Sequence, residues 1–227
     1  MSDAGAPRVK ICGLTLEDDA AHAAALGVDY LGLNFWPSSK RYLAPQRAPA
    51  LAAAARGAGP AALVGVFVNA TLDEIEGVHA RVALDVIQLH GDEPPALLAE
   101  LARRLGLPVW RALPVDAAAP DAATRWRAAA ALLLDAPSAG RGGSGRTVDA
   151  ELARAVQRAA GAQRVVLAGG LRPDNVAEAV RQLAPWAVDT ASGVERAPGE
   201  KDPAKVRAFL HAARTAARGD VLPDEHG

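Results

Sequence analysis

VKICGLTLEDDAAHAAAL, Val9 to Leu26, holds one complete unit of the chain's architecture. Val9–Cys12 is a short run of β-type residues, Gly13 breaks it, and Leu16–Leu26 is an Ala/Leu/Glu stretch with helical character. The unit also carries the only cysteine in 227 residues. A cysteine kept for packing fits anywhere in a core. This one stands where the strand stops and the glycine turn begins, at a strand tip, where sites tend to be.

The same unit recurs seven times. Tyr30–Phe35 is followed by a helix over Pro45–Arg56, Leu63–Val68 by Leu72–Ala80, and Val86–Leu89 by Pro94–Leu105. Then come Val109–Leu113 with a weaker helix over Asp121–Ala129, and Ala131–Leu134 with Ala150–Ala159. Val165–Ala168 precedes Asp174–Leu183, and Ala187–Thr190 precedes Pro203–Ala217. Val206, Phe209, Leu210 and Ala213 fall at i, i+3, i+4 and i+7, one face of a helix. Leu97, Leu101 and Leu105 share a face, as do Val176, Val180 and Leu183. Thr71 before Asp73-Glu74, Asp92 before Pro94-Pro95 and Asp202 before Pro203 mark helix starts.

The strand runs are short and nearly all apolar, without alternation. Parallel strands covered by helices read this way. Eight strand–helix units exceed the usual doubly wound sheet and favour a closed barrel. The expectation is an α/β, single-domain (β/α)8 TIM barrel over residues 1–227, with flexible ends at 1–7 and 218–227.

Composition narrows the function classes. Half the residues are apolar and the formal net charge is −1, so there is no electrostatic case for nucleic acid or an anionic membrane. A single cysteine excludes an intrachain disulfide and fits a reducing compartment. The first ten residues lack a signal-peptide apolar core, and no apolar run approaches the roughly 20 residues of a membrane span. A cytoplasmic protein is expected.

In such barrels the chemistry sits at the C-terminal ends of the strands. Gly169-Gly170 after strand 7 and Ser192-Gly193 after strand 8 occupy the phosphate position of the fold, where backbone N–H groups approach an anion without a Cβ in the way. Gly142 and Gly143, in the loop after strand 6, can close over the same area. A single glycine pair reads more simply as a tight turn; three glycine loops in succession favour phosphate. Cys12 and Asp135 end strands 1 and 6 and face each other obliquely across the mouth. They suit a base and an acid acting on one small substrate, if the thiol pKa falls toward neutral. Taken singly, each also reads as a packing thiol and a loop anchor. Arg41 follows Phe35-Trp36-Pro37 and suits a carboxylate on an aromatic ligand, or is a solvated loop arginine. His90 ends strand 4; it lines the pocket or caps the next helix. The other histidines are on helices or the tail, so no metal site is expected. Asp189 and Glu195 either reach a ribose hydroxyl or orient the last loop.

These segments together resemble the phosphoribosylanthranilate isomerase family of tryptophan biosynthesis. VKICGLT, YLGLNFWPSSKRYL, VGVFVN, IQLHGDE, LLLDA with GGSGRTVD, VLAGGLRPDNV and VDTASGVERAPGEKDPAKVRAFL run in family order from Val9 to about Leu210. The resemblance implies an intramolecular aldose–ketose isomerase that performs an Amadori rearrangement of N-(5-phosphoribosyl)anthranilate by acid–base chemistry alone, without cofactor or metal. It implies Asp135 as general acid, Cys12 as general base, Arg41 as holder of the anthranilate carboxylate, and Gly169, Gly170, Ser192 and Gly193 as the phosphate cradle. The partner is then the small-molecule substrate, in a monomer or homodimer. Lys40, the TVDAEL segment and Thr190-Ala191 depart from the family's commoner residues, and touch loop closure more than the acid or base. A related histidine-pathway sugar isomerase would use an aspartate in place of Cys12. Indole-glycerol-phosphate synthase would need a lysine at the end of strand 2, 3 or 4. A non-catalytic phosphate-binding barrel would have no need of both Cys12 and Asp135.

Overall fold

A computed structural model describes residues 5–136 and 148–216. Among them, eight parallel strands close into one barrel in chain order. They are β1 Arg8–Cys12, β2 Tyr30–Asn34, β3 Ala62–Phe67, β4 Val86–Leu89, β5 Val109–Pro114, β6 Ala131–Asp135, β7 Arg164–Leu167 and β8 Ala187–Thr190. The register Arg8↔Ala187 through Ile11↔Thr190 brings β8 back onto β1 and removes any free edge. The helices are α1 Glu17–Ala25, α2 Ala48–Ala58, α3 Leu72–Val82, α4 Pro95–Leu105, α5 Ala119–Arg125, α6 Ala150–Ala160, α7 Val176–Leu183 and α8 Pro203–Ala216. The expected (β/α)8 barrel is the observed architecture. Gly142, Gly143 and the tail from 218 lie outside the described residues.

Two separate cores explain why the strands read as unbroken apolar runs. Val9, Ile11, Leu31, Leu33 and Leu63 pack outward against the helices. Val64, Val86, Trp110, Ala112, Leu133, Val166 and Ala187 fill the barrel interior. Alternate residues thus face different apolar environments, and period-2 alternation vanishes from the sequence. At the N-terminal end of the barrel Trp110 stacks edge-on to Tyr30 and Trp186, with centroids 4.9 and 5.8 Å away. The guanidinium groups of Arg8 and Arg164 cover Trp186. These side chains plug this end of the barrel.

The helix faces on α7 and α8 are those the spacing indicates: Val176, Val180, Leu183, Val206, Phe209, Leu210 and Ala213 are all buried. On α4 the buried face centres on Leu98 and Leu101, while Leu97 and Leu105 pack at its margin. Thr71 caps α3 in a full capping box with Glu74. Thr71→Ala is expected to cost about 1 kcal/mol, read as a lower urea midpoint at unchanged slope; an unchanged midpoint would mean the box contributes nothing. Asp202 accepts from the N–H groups of Ala204 and Lys205 and starts α8 as expected.

Asp92 does not cap α4. The helix starts at Pro95 behind Pro94, because residues 91–93 are held by a strand-tip network. Glu93 accepts from the N–H groups of Asn69 and Gly91 and from Arg111, and the Asp92 N–H donates to Asn69. The fifth helix is Ala119–Arg125, shifted back from Asp121–Ala129, and it ends where the Trp126 ring lies 4.4 Å from the Arg111 guanidinium. A short antiparallel hairpin, β9 Glu195–Ala197 and β10 Glu200–Lys201, follows β8. Strands of three and two residues, four of the five charged, leave no hydrophobic signal, so periodicity does not reveal them.

Candidate active site

The strand tips open on a cavity of ≈ 730 Å³. Its lining includes Cys12, Arg41, His90, Asp135, Gly169, Gly170, Asp189 and Ser192. Gly193 follows in the 3-10 turn Ser192–Val194. The barrel therefore gathers residues spread from position 12 to 192 around one opening, while Gly193 itself is not part of the lining.

At the β1 tip, Gly13 has φ +75°, and a Cβ there would lie 2.4 Å from Arg41 Cδ. Only glycine lets the arginine stem cross the strand end. Arg41 reaches Glu195 through a two-pronged pair: Nε donates to Oε1 and Nη2 to Oε2, both at 2.7 Å. That pair raises Arg41 above its already high ordinary value. Lys201 Nζ donates to Glu195 Oε1 at 2.8 Å and to the Cys12 carbonyl at 2.6 Å. The hairpin is thus bolted to the β1 tip by charge. Burial works to raise the Glu195 carboxyl, but Arg41 and Lys201 together hold it below the usual range. Burial draws the Lys201 ammonium down, and Glu195 only partly offsets it. Of the two readings for Glu195, orienting the loop is the one the contacts match.

Asp189 is not directed at a ligand alone. Its Oδ1 accepts from Lys10 Nζ at 3.1 Å, in the barrel interior one pleat below Cys12. Lys10 is wholly buried. Burial pushes the Cys12 thiol above its ordinary value; the Lys10 ammonium opposes this and the Asp189 carboxylate adds to it. The thiol is therefore not lowered toward neutrality as an efficient base requires, and desolvation is the reason.

On the opposite side, Asp135 Oδ1 accepts from the Ala136 N–H at 2.9 Å. Its Oδ2 lies 3.4 Å from His90 Nε2, and His90 Nδ1 lies 3.2 Å from Gln88 Nε2. The ring thus bridges the Gln88 amide on its Nδ1 side and the Asp135 carboxyl on its Nε2 side. His90 accordingly lines the pocket and does not cap a helix. Gly169 has φ +76°, and a Cβ there would stand 2.5 Å from the Ala136 nitrogen and 3.1 Å from Asp135 Oδ1. The glycine after β7 is needed partly to leave the acidic side chain its place. Among the described residues no cluster of three or more His, Cys, Asp or Glu is arranged to hold a metal, and no helix is long and apolar enough to cross a membrane.

Sequence reasoning assigns no role to Lys10, Gln88 or Lys201. Lys10 in VKIC and Gln88 in VIQL are each a polar residue inside an apolar strand run, the one signal available for them. Lys201 falls within the GEKD segment of the family resemblance, without a role.

The family model for N-(5'-phosphoribosyl)anthranilate isomerase matches residues 9–212. An enzyme of that name from Ralstonia nicotianae is 46% identical over 218 residues, covering 92% of this chain and 93% of the relative. The crystal structure of phosphoribosyl anthranilate isomerase from Thermotoga maritima superposes with a TM-score of 0.84 at 36% identity, covering 92% of this chain and 99% of its own. A phosphoribosyl anthranilate isomerase solved with reduced 1-(o-carboxyphenylamino)-1-deoxyribulose 5-phosphate gives a TM-score of 0.79 at 34% identity, with coverage of 92% and 99%. With the closed barrel and a match over nearly all of both chains, the chain belongs to the N-(5'-phosphoribosyl)anthranilate isomerase family of tryptophan biosynthesis.

Proposed function

We propose that Cys12, Asp135 and Arg41 carry out the Amadori rearrangement of N-(5'-phosphoribosyl)anthranilate to 1-(2-carboxyphenylamino)-1-deoxyribulose 5-phosphate in the cavity above the barrel. One observation carries the assignment: a thiol and a carboxyl group on the tips of β1 and β6 open onto the same cavity, beside an arginine and a diglycine turn. The related complex with the reduced product supports the ligand class.

Asp135 gives its proton to the furanose ring oxygen, and the C1'–O bond breaks to leave a protonated Schiff base. The Cys12 thiolate then takes the C2' proton, and the electron pair moves into the C1'–C2' bond, giving an enolamine. Protonation at C1' and loss of the C2' hydroxyl proton complete the ketone. Protons balance across these steps, and the chain's own groups supply the acid and the base. The 5-phosphate belongs on the backbone N–H groups of Gly169, Gly170, Ser192 and Gly193. The anilino carboxylate belongs on Arg41. Glu195 occupies the Nε/Nη2 edge of the guanidinium, which leaves the Nη1/Nη2 edge for a ligand carboxylate.

The direct test follows the fluorescence decay of freshly made phosphoribosylanthranilate with the purified protein; no enzyme-dependent decay would sink the assignment. Arg41→Ala is expected to raise KM for phosphoribosylanthranilate by about 10- to 100-fold, the loss of a charge-assisted contact. Affinity for ribose 5-phosphate should change little. Equal loss for both ligands would show that Arg41 holds the loop and not the carboxylate.

A further inference from the structure

Lys10 is a fully buried lysine inside the barrel, a rare placement for an ammonium. Among the described residues it has one carboxylate partner, Asp189 Oδ1 at 3.1 Å. Its second neighbour is the Cys12 thiol. A Cβ built on Gly32, the residue of β2 paired with Cys12, would lie 2.7 Å from Cys12 Sγ and 3.1 Å from Lys10 Nζ. The sulfur and the ammonium thus flank the same small space, and glycine at 32 keeps it open. A plain structural ion pair has no need of the thiol beside it. A thiolate in an apolar barrel, however, has great need of a fixed cation.

We propose that Lys10 is a positioning residue whose buried ammonium is the counter-charge for the Cys12 thiolate, with Asp189 as the anchor that fixes the ammonium beneath the sulfur. The proposal rests on Cys12 being the base. When the thiol is neutral, Lys10 and Asp189 balance each other. When the thiolate forms, the ammonium faces two anions and holds both. The other charged groups near Cys12 have their own partners. Lys201 grips its carbonyl, and Arg41 and Lys201 share Glu195 at the rim. Asp135 and His90 line the same cavity from β6 and the β4 tip. Lys10 is the cation whose carboxylate partner sits on the thiol's own side of the barrel. The influences on the thiol follow this order, with Lys10 the largest one opposing burial and Asp189 acting against it.

The single cysteine makes the test unambiguous, because the pH dependence of iodoacetamide alkylation of the whole protein reports the Cys12 thiolate. In Lys10→Met the thiol titration is expected to move to higher pH. Alkylation near neutral pH should slow about tenfold, and the rising limb of kcat/KM against pH should move up with it. In Asp189→Asn, whose side-chain oxygen still accepts from the ammonium while the competing negative charge is gone, the titration should move to lower pH. A Lys10→Met thiol that titrates where wild type does, or lower, overturns the proposal. If that variant does not fold, Asp189→Asn decides, and a titration that stays or rises overturns it. A thiol titration that moves while the rate profile stays keeps Lys10 in this role and removes Cys12 as the base.

Discussion

Asp135→Asn is expected to lower kcat by about 10²–10⁴-fold, the usual contribution of one positioned acid. The carboxamide keeps the size of the side chain and still accepts from the Ala136 N–H. It has no proton of suitable acidity for the furanose oxygen. Binding should survive, because the proposed phosphate cradle and Arg41 are untouched. The measurement is fluorescence decay of phosphoribosylanthranilate beside equilibrium titration with the reduced product. Lost turnover with retained affinity supports the acid assignment; full activity sinks it. Loss of both would point to a displaced β6 tip, which circular dichroism and the Gly169 neighbourhood would reveal.

Cys12→Ala is the second large effect, again about 10²–10⁴-fold in kcat. Alanine removes the only thiol while leaving the β1 backbone, its pairing with β2 and β8, and the Lys201 grip on the Cys12 carbonyl in place. Side by side with wild type, loss of signal decay in the variant answers why the one cysteine stands at the end of VKIC. Equal turnover would leave Cys12 as packing and place the base elsewhere on the cavity wall. The starting thiol is pushed up by burial, so the pH dependence of kcat/KM in wild type should rise toward alkaline pH as the thiolate forms. A profile flat through that range would speak against a thiolate base.

The candidate acid and base are both legible in the sequence, and the reason is architectural. In a (β/α)8 barrel, a reactive residue at the last position of a strand is delivered to the mouth. Reading where each apolar run stops therefore identifies the candidates, as at Cys12, His90 and Asp135. Arg41 is legible as a residue type next to aromatics, but its bond to Glu195 is not, because 154 residues separate them. The failure of Asp92 as a cap has a similar origin. Local propensity is overridden by Glu93, Asn69 and Arg111 meeting across strand tips.

By itself, then, the sequence determined the repeating strand–helix unit, its eightfold count, the closed barrel and the family. These depend on periodicity, turn chemistry and residues at strand ends, all of which are local. Only the tertiary structure decided what surrounds each reactive group. Barrel closure sets β8 beside β1 and so puts Asp189 against Lys10 beneath Cys12. It brings the β4 tip close to β6 and so sets His90 against Asp135. It folds the β9–β10 hairpin onto β1, which fixes Arg41 through Glu195. The charge state of a partly buried thiol depends on desolvation and on charges a few ångströms away; Lys10 is a neighbour in the chain, but Asp189, which holds it, and Lys201 come from residues remote in the chain.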